Sequence, residues 1–155
     1  MRKAFTRVVE TMNQVRGNHM SYAAFSVVQV LNDGIATVLT YETPPPILVN
    51  RHSSSVLPLR TYTEGSALLG EADCVLNEGD ALLVVSDGIT QAGLGSGLTY
   101  GWTIEGVNRF ILDALAGNRS IDRLQQRVHK QALELWGRRG GDDCTAVLLS
   151  CREGK

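Results

Sequence analysis

The sequence predicts an α+β domain layered on antiparallel sheets. Three observations carry this: β-type runs cluster together after one N-terminal helix, two helical periodicities follow, and a last apolar strand closes the pattern. The run Ala81-Leu82-Leu83-Val84-Val85 has no polar alternation, which places that strand between layers with both faces buried.

The elements follow in order. Over residues 4–15, Phe5, Val8, Val9, Met12 and Val15 fall on one stripe of a helix, and Gly17-Asn18 ends it. Tyr22 to Leu31 reads as a strand, and Ile35 to Tyr41 as its partner. Asn32-Asp33-Gly34 between them suits a tight hairpin, because Asp-Gly accepts the positive φ it requires. Pro44-Pro45-Pro46 then stops pairing for want of amide hydrogens. Two short strands are expected at Ile47–Asn50 and Val56–Tyr62, and a third at Ala72–Leu76. The turn Asn77-Glu78-Gly79-Asp80 leads into the apolar strand at Ala81–Val85. A helix over 103–116 shows Ile104, Val107, Ile111 and Leu115 and stops at Gly117. Another over 121–136 carries Ile121, Leu124, Val128, Ala132 and Leu135, with Ser120 as N-cap and Gly137 past its end. Cys144 to Cys151 is the last strand.

Composition narrows the function classes. With 155 residues, 43% hydrophobic and 20% charged, the chain supports one globular domain with a substantial core. A formal net charge of -1 offers no broad positive field for nucleic acid or an anionic membrane. No apolar run approaches the roughly 20 residues that span a bilayer, and the N-terminus lacks a signal peptide's apolar segment. Cys74, Cys144 and Cys151 are odd in number without CxxC spacing, which suits small apolar residues in a reduced cytoplasmic setting.

Chemistry concentrates at two places. Asp87 directly follows the buried strand, and Gly88 behind it lets another group approach closely. Asp142 and Asp143 precede the last strand. If the two strands are neighbours, the carboxylates converge at one sheet edge and call for a cation to offset their repulsion. Hard oxygen donors without histidine or thiolate select Mg²⁺ or Mn²⁺. Taken singly, each Asp-Gly or Gly-Asp pair is an ordinary turn. Their joint placement at strand ends is what favours a site.

The residues around these aspartates carry a resemblance. Leu76 to Thr90, with a Gly-Asp turn, an apolar strand and Ser86-Asp87-Gly88-Ile89-Thr90, resembles a segment of the metal-dependent protein phosphatases (type 2C), in their bacterial stage II sporulation protein E branch. Gly141-Asp142-Asp143-Cys144-Thr145 and the strand behind it resemble that family's terminal Asp-Asp-x-Thr motif. Tyr41 to Val49 resembles its strand, Pro-Pro, strand element. All three occur in the family's order, from about Ala4 to Ser150.

The resemblance implies two stacked antiparallel sheets flanked by helices, with a binuclear Mn²⁺ or Mg²⁺ centre at one end. By position, Asp87 and Asp142 match metal ligands, with Asp143 beside them, and no protein nucleophile is implied. Gly88, Arg138 and Arg139 are the candidate contacts to substrate phosphate, the arginines serving equally well as a solvated helix end. The implied reaction is hydrolysis of phosphoserine or phosphothreonine by metal-activated water. The implied substrate is an anti-anti-sigma-factor-like regulatory protein, in the setting of sigma-factor partner switching. Residues 1–155 then correspond to roughly the C-terminal three quarters of the family domain, lacking its first strands and a bridging Asp-Gly aspartate. Glu42-Thr43 also stands where the family has Gly-His. A catalytically silent module that binds a partner protein is the alternative these departures leave open, and exposed sheet edges would allow a homodimer.

Other features point elsewhere. Gly93-Leu94-Gly95-Ser96-Gly97-Leu98 lacks the βαβ context of a dinucleotide site and reads as a loop beside the aspartates, able to act as a flap. His19, His52 and His129 have no ligand spacing. Trp102 and Trp136 read as packing between helices and sheet. Asn118-Arg119-Ser120 reads as helix-start chemistry.

Overall fold

A computed structural model describes residues 1–16, 23–65, 67–117, 120–137 and 141–152. The described residues form two four-stranded antiparallel sheets packed face to face, with helices on both outer sides. In chain order the elements are α1 (Arg2–Arg16), β1 (Phe25–Val30), β2 (Ile35–Tyr41), β3 (Ile47–Val49), β4 (Ser54–Val56), β5 (Arg60–Glu64), β6 (Ala67–Val75) and β7 (Ala81–Val85). Then come the single turn α2 (Asp87–Thr90), α3 (Ile104–Ala116), a 3₁₀ turn at Ile121–Arg123, α4 (Leu124–Trp136) and β8 (Ala146–Ser150). The first sheet has the order β1-β2-β6-β5 and the second β4-β3-β7-β8. This is the layered α+β architecture expected.

Side-chain alternation assigns the layers. In β2, Ala36 and Val38 face the second sheet and meet Leu82, Leu48, Val84 and Leu149. Leu39 and Tyr41 point the other way, under Phe5 and Val9 of α1. In β7, Leu82 and Val84 face the first sheet, while Leu83 and Val85 face Val107, Ile111, Leu124, Val128 and Ala132 of α3 and α4. The strand without polar alternation is therefore buried on both faces, as its composition requires.

The hairpin between β1 and β2 forms at Asn32-Asp33-Gly34. Gly34 has φ +81°, and a Cβ on it would stand 2.6 Å from the Leu76 carbonyl oxygen, so only glycine fits. Glu42, where the resemblance sets a glycine, adopts φ +56° in the left-handed region that glycine favours. The position keeps its backbone demand without the residue that meets it at least cost.

Two strands depart most from the sequence reading, while β3 and β8 end within two residues of it. The expected strand at Val56–Tyr62 is two strands: β4 pairs with β3 in one sheet and β5 with β6 in the other. Pro58 between them has no amide hydrogen for a ladder, and Leu57 turns into the core between the sheets. The strand expected at Ala72–Leu76 begins earlier, as β6 runs from Ala67 to Val75 to serve both β2 and β5. Gly70 lies within it; its bare Cα leaves room for Thr40 Oγ1, which would stand 2.4 Å from a built Cβ. The helical turn α2 also had no periodicity to announce it, being only 4 residues long. Among the described residues, no helix is long and apolar enough to cross a membrane. All three cysteines are free.

Candidate metal and phosphate site

The site forms where β7 ends and β8 begins. These strands pair antiparallel, Val85 opposite Ala146, so the segments after Val85 and before Ala146 are brought side by side. One more ladder bond extends the pairing, from the Ser86 amide to the Thr145 carbonyl at 2.9 Å. The Ser86 side chain, at the N-cap of α2, makes no capping bond. It reaches across instead. Its hydroxyl donates to the Asp143 carbonyl at 2.8 Å and accepts from the Thr145 amide at 2.9 Å. One side chain thus satisfies two backbone groups of the other segment.

Gly88 brings the segments closer still. A Cβ there would lie 2.6 Å from the Asp143 carbonyl oxygen and 3.1 Å from the Asp142 carbonyl carbon. The expectation that this glycine serves close approach agrees with that contact. The approaching group is the backbone of the second acidic segment.

Asp87 opens α2 and is half-buried. Its carboxylate accepts from the Gly88 backbone amide at 3.0 Å and from the side-chain Nε2 of Gln91 at 3.4 Å. Asp142 is exposed, and its carboxylate accepts from the Asp143 amide at 2.8 Å. Among the described residues none of the three aspartates has an ion-pair partner. The structure therefore brings the two acidic turns into backbone contact. It does not gather a complete ligand set: among the described residues, no three or more His, Cys, Asp or Glu side chains are grouped to hold a metal. The donors present are hard carboxylate oxygens at adjacent strand ends, which fit part of a Mg²⁺ or Mn²⁺ site. Arg138 and Arg139 lie outside the described residues.

Three residues of the site have contacts that the sequence reading did not foresee. Ser86 laces the segments together. Trp136 donates its indole N–H to the Gly88 carbonyl at 2.9 Å. Cys144 directs its thiol to the same carbonyl at 3.4 Å. Burial pushes the Cys144 thiol above its ordinary range; the neighbouring indole N–H opposes this, and the Asp142 and Asp143 charges add to it. The partners lie 48 to 59 positions apart, so no local pattern could have marked them.

The glycine-rich segment sits against α2. Thr103 donates its amide to the Thr90 carbonyl at 2.7 Å, and Leu94 to that of Gln91 at 2.9 Å. Tyr100 is 83% exposed at its edge. A cavity of about 780 Å³ lined by Arg51, His52, Ser120 and Asp122 lies at the opposite end of the second sheet and takes no part in this site.

Known proteins bear on this geometry. The family model described as stage II sporulation protein E (SpoIIE) matches residues 1–152. The fold is similar to the phosphatase domain of the cell fate determinant SpoIIE from Bacillus subtilis, presoaked with Mn: TM-score 0.69, 12% identity, 100% of this chain and 67% of that one. A second structure of that domain gives 0.65, 14%, 97% and 68%. The RsbU and RsbW domains of a Mycobacterium tuberculosis protein give 0.63 and 24%, over 94% of this chain and 40% of that one. At these identities the structures show a shared fold, and the chain spans about two thirds of the Bacillus domains' length. No curated protein matches.

Proposed function

The chain belongs to the stage II sporulation protein E (SpoIIE) family, and from that membership we propose that it works as a metal-dependent protein serine/threonine phosphatase domain. Its proposed substrate is a phosphoserine or phosphothreonine of an anti-anti-sigma-factor-like regulatory protein, in bacterial partner-switching control. The observation that carries this reading is the lacing of Ser86-Asp87-Gly88 onto Asp142-Asp143, which joins the two family motifs at one sheet edge.

Asp87 and Asp142, with Asp143 beside them, are the residues that would hold Mn²⁺ or Mg²⁺. When bound, such ions supply a water that ionises near neutral pH and offset charge on phosphoryl oxygens. The protein's own part is positional. Ser86 fixes the Asp143 backbone, the missing Cβ of Gly88 allows the close approach, and the Gly88 amide and Gln91 hold the Asp87 carboxylate. No side chain need act as nucleophile.

The test is Asp87→Asn in the full-length protein, read by Mn²⁺ titration and by Mn²⁺-dependent hydrolysis of p-nitrophenyl phosphate. The expected outcome is a loss of roughly tenfold or more in both. Wild-type protein that neither binds Mn²⁺ nor hydrolyses the ester at millimolar metal would sink the phosphatase reading. It would favour a silent phosphatase-like module that binds a partner protein. The incomplete carboxylate grouping among the described residues is the observation on that side.

A further inference from the structure

Trp136 is the last residue of α4, and it touches both acidic turns. On one side its indole N–H donates to the carbonyl of Gly88, the residue after Asp87, at 2.9 Å. On the other, Gly141, the residue before Asp142, lies flat against the ring: a Cβ built on it would fall inside the indole. The helix beneath is anchored by Leu124, Val128 and Ala132, all fully buried, so the ring is carried by a rigid element. A tryptophan that only packs looks different. Trp102 meets Phe110 edge-on at 5.4 Å and covers Gly106, at the border of the same core.

We infer that Trp136 is a positioning residue, setting the separation of the Asp87 and Asp142 turns by spanning them with one rigid indole. The N–H holds the first turn and the ring face seats the second. Its contribution to metal and phosphate binding rests on the phosphatase reading; the positioning itself does not.

The experiment uses the full-length protein and three variants. Trp136→Phe keeps an aromatic ring and removes the N–H. Gly141→Ala keeps the N–H and pushes the ring away from the second turn. Trp102→Phe perturbs packing alone. Amide hydrogen exchange is followed without metal, and Mn²⁺ affinity by titration at a matched margin below each variant's melting temperature. Losing one buried hydrogen bond corresponds to about tenfold faster exchange. That acceleration is expected in both 86–89 and 141–145 for Trp136→Phe and for Gly141→Ala, while the strands of the second sheet keep their protection. Trp102→Phe should leave both segments unchanged. Mn²⁺ affinity should fall about tenfold in the first two variants and hold in the third.

Unchanged exchange in those segments, or acceleration spread evenly through the second sheet, would overturn the inference and leave Trp136 a core residue. Should Trp136→Phe fail to fold, Gly141→Ala decides by the same signature. If wild-type protein binds no Mn²⁺, the phosphatase reading falls while the exchange result still decides the positioning role.

Discussion

The two outer faces of the sandwich are held down by different physics. Over the first sheet, α1 buries Phe5 and Val9 but is also tied by charge. Arg2 pairs with Glu71, Glu71 pairs with Arg60, and Arg60 reaches Asp73, while the Arg2 guanidinium lies 5.3 Å from the Tyr62 ring centroid. Over the second sheet, α3 and α4 lay an apolar layer of Val107, Ile111, Leu124, Val128 and Ala132 on Ile47, Val49, Leu83 and Val85. The candidate site stands at the end of that second sheet, on β7 and β8. Such an arrangement places the acidic turns on the half that depends least on ionic strength and on long, mobile side chains. A site whose ligands must be held closely is better served by close-packed apolar support.

The largest expected effect tests that support. Ile111 is fully buried between α3 and the second sheet. Ile111→Ala should cost about 2–5 kcal/mol, since it loses transfer energy and leaves a cavity that the layer can only partly close. Chemical denaturation measures it. Mn²⁺ binding should weaken alongside, because β7 rests on this layer. A loss below about 1 kcal/mol would mean the layer is loosely packed, and the contrast between the faces would collapse.

Gly88→Ala comes next and has an informative sign. Within a helical turn, alanine is ordinarily better than glycine by about 0.5–1 kcal/mol. Here the new Cβ would stand 2.6 Å from the Asp143 carbonyl oxygen, a contact with backbone that must move. Overpacking of this kind costs about 1–3 kcal/mol, so the net change should be destabilising. The two acidic turns should part, which a Mn²⁺ titration would register as weaker binding. A Gly88→Ala protein more stable than wild type would show that the close approach is not maintained in solution.

Much of this was legible in the sequence because it rests on local rules. The buried strand at Ala81–Val85, the hairpin at Asp33-Gly34 and the stop at Gly117 follow from burial, φ and capping, each read within a few residues. The Ser120 cap falls on the 3₁₀ turn Ile121–Arg123 that precedes α4 and not on α4 itself. The strand around Val56–Tyr62 misled because the run crosses between sheets at Pro58, and periodicity does not say which sheet a strand joins. At the site, Asp87, Gly88 and Asp142 stood out through motif and turn chemistry. The roles of Ser86 and Trp136 stayed hidden, because they lie in bonds to backbone atoms 57 and 48 residues away. A serine before an aspartate looks like a cap, and a tryptophan at a helix end looks like packing. Only the strand pairing tells them apart from what they do here.

The smallest expected effect sharpens the comparison from the charged side. Glu71 is 5% exposed, yet the guanidinium groups it joins reach solvent, so each pair is partly screened. Glu71→Gln keeps the shape and one carbonyl acceptor while removing the charge that holds Arg2 and Arg60 together. Melting should fall by about 2–4 °C at low salt, as befits a modest change in a domain of this size. The decisive measurement is the same melt in 1 M NaCl. Screening shortens the reach of these charges to about 3 Å, so the gap between wild type and variant should shrink, whereas the Ile111→Ala gap should persist. Equal salt sensitivity in the two variants would mean that charge and burial are not divided between the faces, and that α1 is held chiefly by Phe5 and Val9.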